Sequence, residues 1–237
     1  MTKAGKLYDD AAIKQILVRC SNGTFVMGYT GMALTRGDCG DRIDERAVKT
    51  ISELPLDTMT VPNVLESFRA DLTKLAGATH RIPRSNRKIE WAIAGFGPPG
   101  PFAATITNHE DIDGNPLVEV ADEFNVIMNL RNGKPIRRLN LIFVGTEAAI
   151  RGDVRASLRK VRSKLYHLRP PKLVLDSLVQ IVRKAAADAH YGHFISKHRT
   201  GTFIERTGRA CCFDYRATGT RLVSFPTKSA ASCLPWV

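Results

Sequence analysis

KLYDDAAIKQILVRCSNGTFVMGYTGMA, Lys6 to Ala33, is the stretch on which the fold turns. Two β-rich runs between Ala12 and Thr30 flank Ser21-Asn22-Gly23, the composition of a tight hairpin turn, so the segment predicts strand, turn, strand. Lys14 stands among Ile13, Ile16 and Val18 in the first run. The ordinary outcome for such a lysine is an edge position with the ammonium led out to water. The sharper alternative is a buried amine that lowers the pKa of a neighbouring amine or polarises a hydroxyl, and so activates a nucleophile. Gly31 ends the second run, and with no side chain to block approach its N–H can face a developing oxyanion.

Downstream, Asp44 to Leu54 has helical spacing, with Ala47, Ile51 and Leu54 on one face and Pro55 ending it. Pro62 suits the first turn of a second helix, in which Val64, Leu65, Phe68, Leu72 and Leu75 recur until Gly77. The middle of the chain alternates. Ile89, Trp91 and Ile93, then FAATITN, LVEVADEFNVIMNLRN and IRRLNLIFVG, read as four consecutive antiparallel strands. After Gly145 the period is helical again: Val154, Leu158, Val161 and Leu165 make an apolar stripe beside Arg151, Arg155, Arg159 and Arg162, and Pro170-Pro171 separates this helix from one over Leu173 to Ala189. TGTFIERT and ACCFDYRA are further strands, and the tail from Pro226 to Val237 has no clear period. Runs of antiparallel strands alternating with helix pairs imply stacked layers, not a doubly wound sheet.

With 237 residues, 43% of them hydrophobic, the chain is long enough to bury a sizeable core, and it is read as one domain over residues 1–237. It has no apolar run of membrane-spanning length and no signal-peptide layout at its start, so the cytoplasm is the expected compartment and no membrane is expected as partner. Five cysteines without a C-x-x-C pair read as buried thiols. The formal charge of +12, from 35 Lys and Arg against 23 Asp and Glu, attracts polyanions. Basic residues cluster in RSNRK (84–88), RNGKPIRR (131–138) and RGDVRASLRKVRSK (151–164), yet no nucleic-acid-binding motif accompanies them, so a solvated basic surface is preferred to a nucleic-acid site.

Three motifs are set aside on physical grounds. Gly95-Phe96-Gly97-Pro98-Pro99-Gly100 spells a dinucleotide fingerprint, but its prolines remove N–H donors and a strand follows where a helix is required. His109-Glu110-Asp111-Ile112-Asp113-Gly114 puts His109 first and Val120 last in a calcium-loop register, so a polar turn between strands explains it better. His190, His193 and His198 lack the HExxH pattern and stand beside Lys197 and Arg199, the composition of a basic helix end. No metal or organic cofactor is expected.

The element order, Lys14 within AIKQILV, the strand ending GYTGMA, FVGTEAA and VLDSLVQIVRKAAAD together resemble the proteasome β-subunit branch of the N-terminal-nucleophile hydrolases. The resemblance covers most of the chain in outline through short motifs. It implies an α+β fold, a four-layer αββα sandwich, and amide-bond hydrolysis by an N-terminal Thr, Ser or Cys whose α-amine is the base. It also implies that Lys14 is the family's electrostatic lysine and Gly31 its oxyanion glycine.

The family fold opens with a hairpin carrying the nucleophile. Here only MTKAGKLYDDAAI precedes Lys14, a segment read as too short for two strands with their turn, so the first hairpin is expected to be absent. Either Met1 is removed and Thr2 becomes the nucleophile, with an α-amine of pKa about 7.7–8.0 as base, or TKAGKLYDD is the loop after a lost hairpin. The second reading is preferred and makes the chain inactive. If active, it would act on a peptide or a small amide. An exposed sheet edge left by the lost hairpin predicts self-association into a homo-oligomer. The rival class is a non-catalytic basic module that binds nucleic acid weakly and non-specifically or assembles as a scaffold.

Overall fold

The computed structural model describes residues 2–3, 6–7, 15–31, 42–77, 82–98, 100–131, 134–135, 171–187, 199–205, 207, 210–216, 219–223 and 231–233. Strands β1 (Thr2–Lys3) and β2 (Lys6–Leu7) pair with each other in a small sheet of their own. The predicted hairpin follows as β3 (Ile16–Cys20) and β4 (Gly23–Gly31), in register from Ile16 opposite Met27 to Cys20 opposite Gly23. The turn is therefore Ser21 and Asn22 alone. Asn129 is the one described non-glycine residue at positive φ, so this is not the primed turn that Asn-Gly favours. The turn is tethered from outside instead. Ser21 N–H donates to the carbonyls of Leu56 and Met59, each at 3.0 Å, and Asn22 Oδ1 accepts the N–H of Val61 at 2.8 Å.

Val61 begins α2 (Val61–Gly77), which with α1 (Ile43–Glu53) covers one face of the main sheet. Both helices lie within a few residues of the predicted spans, with Pro62 in the first turn of α2 and Pro55 beyond the end of α1. They are joined by a bidentate pair, Arg46 Nη2 to Asp71 Oδ1 at 2.7 Å and Nε to Oδ2 at 3.1 Å, with the Thr50 hydroxyl donating to Asp71 at 2.7 Å. Burial pushes the Asp71 carboxyl up, but these two donors outweigh it and hold the group below the usual carboxylate range.

The sheet continues through β5 (Ile89–Gly97), β6 (Gly100–Thr107) and β7 (Asn125–Met128), and all its neighbours are antiparallel. Period-two alternation sends Ile89, Trp91 and Ile93 toward the helices, where Trp91 packs on Tyr29 at 4.8 Å and, near-perpendicular, on Phe68 at 5.0 Å, ring centre to ring centre. The glycine-proline motif is the β5–β6 turn, with Gly97 opposite Gly100, in keeping with its rejection as a nucleotide loop.

The other face of the sheet carries Leu17, fully buried against Ile204 and Ala210. Those residues belong to a second antiparallel sheet, β10 (Arg199–Ile204), β11 (Ala210–Arg216) and β12 (Gly219–Val223). The Thr202 hydroxyl donates to Gln15 Oε1 and ties β10 to the start of β3. Helix α3 (Pro171–Ala187), close to its predicted span, packs Leu175 and Val179 against Phe203 of β10. The protein is thus a mixed α+β fold. Among the described residues no helix is long and apolar enough to cross a membrane.

Several expectations are corrected. The segment before Lys14, read as too short for a hairpin, contains the β1–β2 pair. The tail, read as aperiodic, supplies β13 (Ala231–Cys233), which pairs with β3 from Ala231 opposite Val18 to Cys233 opposite Ile16. β13 thus covers the outer edge of β3. The strand over LVEVADEFNVIMNLRN shrinks to β7 and the two-residue β8 (Leu130–Arg131), which pairs with β9 (Lys134–Pro135). Its first half is loop, with the Val118 side chain wholly exposed and Asp122 drawn to Arg87 at 3.0 Å. Asn129, at φ 54°, interrupts the second half, its N–H donating to the Ala103 carbonyl at 2.7 Å. The IRRLNLIFVG strand beyond residue 135, the helix with the Arg151, Arg155, Arg159 and Arg162 stripe, and His190, His193 and His198 lie outside the described residues.

Candidate functional site

Gly31 closes β4 opposite Ile89, and its backbone alone dictates the residue type. Its φ is +109°, and a Cβ there would lie 2.0 Å from the Lys88 carbonyl oxygen. Thr2 lies in β1 opposite Leu7, in a sheet separate from that of Gly31. Lys14 falls outside the described residues.

Polar chemistry collects at the Gly31 end of the sheet. One residue back, Thr30 pairs with Glu90, and Glu90 pairs in turn with Thr107 on β6. These positions alternate with the core positions Ile89 and Ile106, so they occupy the face turned away from α1 and α2. Asn108, almost wholly buried, fixes the end of the row. Its Oδ1 accepts the Ile89 N–H at 3.0 Å, its Nδ2 donates to the Arg87 carbonyl at 3.0 Å, and its own carbonyl accepts the Ala121 N–H at 2.8 Å. A buried amide used this fully holds β5, β6 and the following loop in one arrangement.

His109 comes next. Its Nδ1 is 2.7 Å from the Thr107 hydroxyl oxygen and its Nε2 is 3.8 Å from Glu90 Oε2. Burial, with the nearby Lys88 ammonium adding to it, pushes the imidazole down to about 4. The ring is neutral at pH 7 as a result, and the Glu90 contact is not an ion pair there. Glu110 completes the group: Glu90, His109 and Glu110 each offer a ligand atom, all within 4.8 Å of one another. The hydroxyl–imidazole–carboxylate order of Thr107, His109 and Glu90 has the look of a nucleophile relay, but Thr107 is fully buried, which closes it to any substrate.

The loop after Glu110 is the polar turn expected of it. Asp111 Oδ1 accepts the backbone N–H groups of Asp113 at 3.0 Å and Asn115 at 2.8 Å. These hydrogen bonds, with that of the Asn115 side chain, hold its carboxyl below the usual range. In the RSNRK cluster, Arg87 Nη1 reaches Asp122 at 3.0 Å, and the exposed Arg84 lies 3.5 Å from Asp122 and 3.6 Å from Glu119.

Sequence reasoning had His109 and Glu110 in view as part of a rejected calcium loop and missed Glu90 altogether. The signal was there in the hairpin: counting outward from the Gly97–Gly100 pair puts Glu90 opposite Thr107, two residues from His109. The chain matches no protein-family model and, in sequence, no curated protein.

Proposed function

We propose that the chain is an N-terminal-nucleophile-hydrolase-like domain of the proteasome β type, a four-layer αββα sandwich. Its ancestral chemistry is hydrolysis of amide bonds in peptides or small amides, and this chain does not perform it. The observation that carries the reading is Leu17. It sits on the sheet face opposite α1 and α2, packed against Ile204 and Ala210 of a second antiparallel sheet whose Phe203 packs on α3. Helix pair, sheet, sheet and helix in that succession support an αββα sandwich.

Thr2 supports the inactivity. Attack on an amide needs the nucleophile held to within about an ångström, and β1 pairs with β2, not with a strand of the six-stranded sheet that ends in Gly31. The test is a peptide and small-amide assay on chain whose N-terminus has been defined by mass spectrometry, beside Thr2→Ala. No Thr2-dependent turnover is expected. Turnover abolished by Thr2→Ala overturns the inactivity. An experimental structure with Leu17 apart from Ile204 and Ala210 overturns the architecture.

A further inference from the structure

We propose that Glu90, His109 and Glu110 form a binding site for a first-row divalent cation of the Zn2+ or Mn2+ kind at the end of the β5–β6 hairpin. The proposal does not depend on the hydrolase reading. Three potential ligands, one on β5 and two in the segment that follows β6, converge there, their ligand atoms all within 4.8 Å of one another. Two donors each about 2.1 Å from a tetrahedral ion lie about 3.4 Å apart. The Nε2 to Oε2 separation of 3.8 Å needs to close by only some tenths of an ångström to reach that.

The donor types choose the ion. Without a thiolate the set does not favour soft ions; the imidazole favours Zn2+ over Mg2+ and Ca2+, and the two carboxylates suit Mn2+ as well. Thr107 supplies the outer contact that histidine ligands usually have: with the proton on Nδ1, that N–H donates to the Thr107 hydroxyl oxygen and leaves the Nε2 lone pair on the side of Glu90. Asn108 locks the backbone between Thr107 and His109, so the ligands are held by a framework that is already formed. Glu90 and Glu110 also have other interactions in the fold.

The test is calorimetric titration of the full chain, stripped with a chelator, with ZnCl2 and with MnCl2, alongside thermal unfolding in each ion. Saturable binding at one ion per chain and a raised Tm are expected with at least one of them. Glu90→Gln and Glu110→Gln, which keep shape and lose charge, should each weaken binding at least about tenfold, and Thr107→Val about 10–100-fold. Circular dichroism identifies the variants that fold, and any one of the three that folds suffices for the comparison. No saturable binding by the parent chain overturns the proposal, as does parent affinity retained in the folded variants.

Discussion

Asn22, in the two-residue turn between β3 and β4, accepts the N–H of Val61 through its side-chain oxygen at 2.8 Å and so caps a helix that begins 39 residues later. A helix start has N–H groups without partners inside the helix, and a side-chain oxygen that satisfies one stabilises it by about 0.5–2 kcal/mol. Asn22→Ala should therefore lower unfolding free energy by about 1 kcal/mol in urea titration, while Asn22→Asp, which keeps the acceptor, should lose much less.

Gly31→Ala should cost more. A left-handed φ strains an L-residue by about 1–2 kcal/mol, and the added methyl carbon meets the Lys88 carbonyl oxygen at 2.0 Å, so the end of β4 must draw away from β5. A loss of at least about 2 kcal/mol is expected, with faster hydrogen exchange at the β4–β5 end than in the β3–β4 turn.

Trp91→Ala opens a cavity between Tyr29 and Phe68 at the centre of the core. Such truncations cost about 3–5 kcal/mol. Trp91→Phe fills most of that space and should recover more than half of the loss. The two variants are to be compared by denaturant midpoint under one set of conditions.

His109 predicts an acid-sensitive stability. Its folded pKa is about 4, below the ordinary 6.5, so between these values the unfolded chain binds more protons than the folded one. The contribution is fully present above pH 6.5 and is lost as pH falls toward 4, by at most about 1.4 kcal/mol per pH unit. Lowered carboxylates such as Asp71 and Glu66 act in the same direction but at lower pH. Unfolding free energy in chelator between pH 7 and 4.5 should fall in the parent chain, and the slope should flatten in His109→Gln. An unchanged slope would show that His109 titrates normally.

What was legible in the sequence is what alternation and helical period encode. Ile89, Trp91 and Ile93 declared their face, and Val64, Leu65, Phe68 and Leu72 declared theirs, because a buried stripe must be apolar wherever it falls. LVEVADE misled because its apolar residues alternate like a strand while its acids are drawn to Arg84 and Arg87, pairings made in three dimensions. β13 was missed for a related reason. A three-residue edge strand holds too few positions to show a period, and its pairing with β3 is fixed by tertiary placement. The Glu90–His109–Glu110 group needed the register of one hairpin, which the sequence contains but a motif search does not consult.

The pairing of β13 with β3 joins residues almost the whole sequence apart. On a ribosome, β3 emerges well before β13, and its outer edge then waits through the synthesis of the intervening chain before Ala231, Ser232 and Cys233 arrive to cover it. For that interval the nascent chain carries an apolar strand with open hydrogen-bonding groups, the kind of surface that chaperones bind and that neighbouring nascent chains can capture. Yield from cells should accordingly respond to translation speed and chaperone supply.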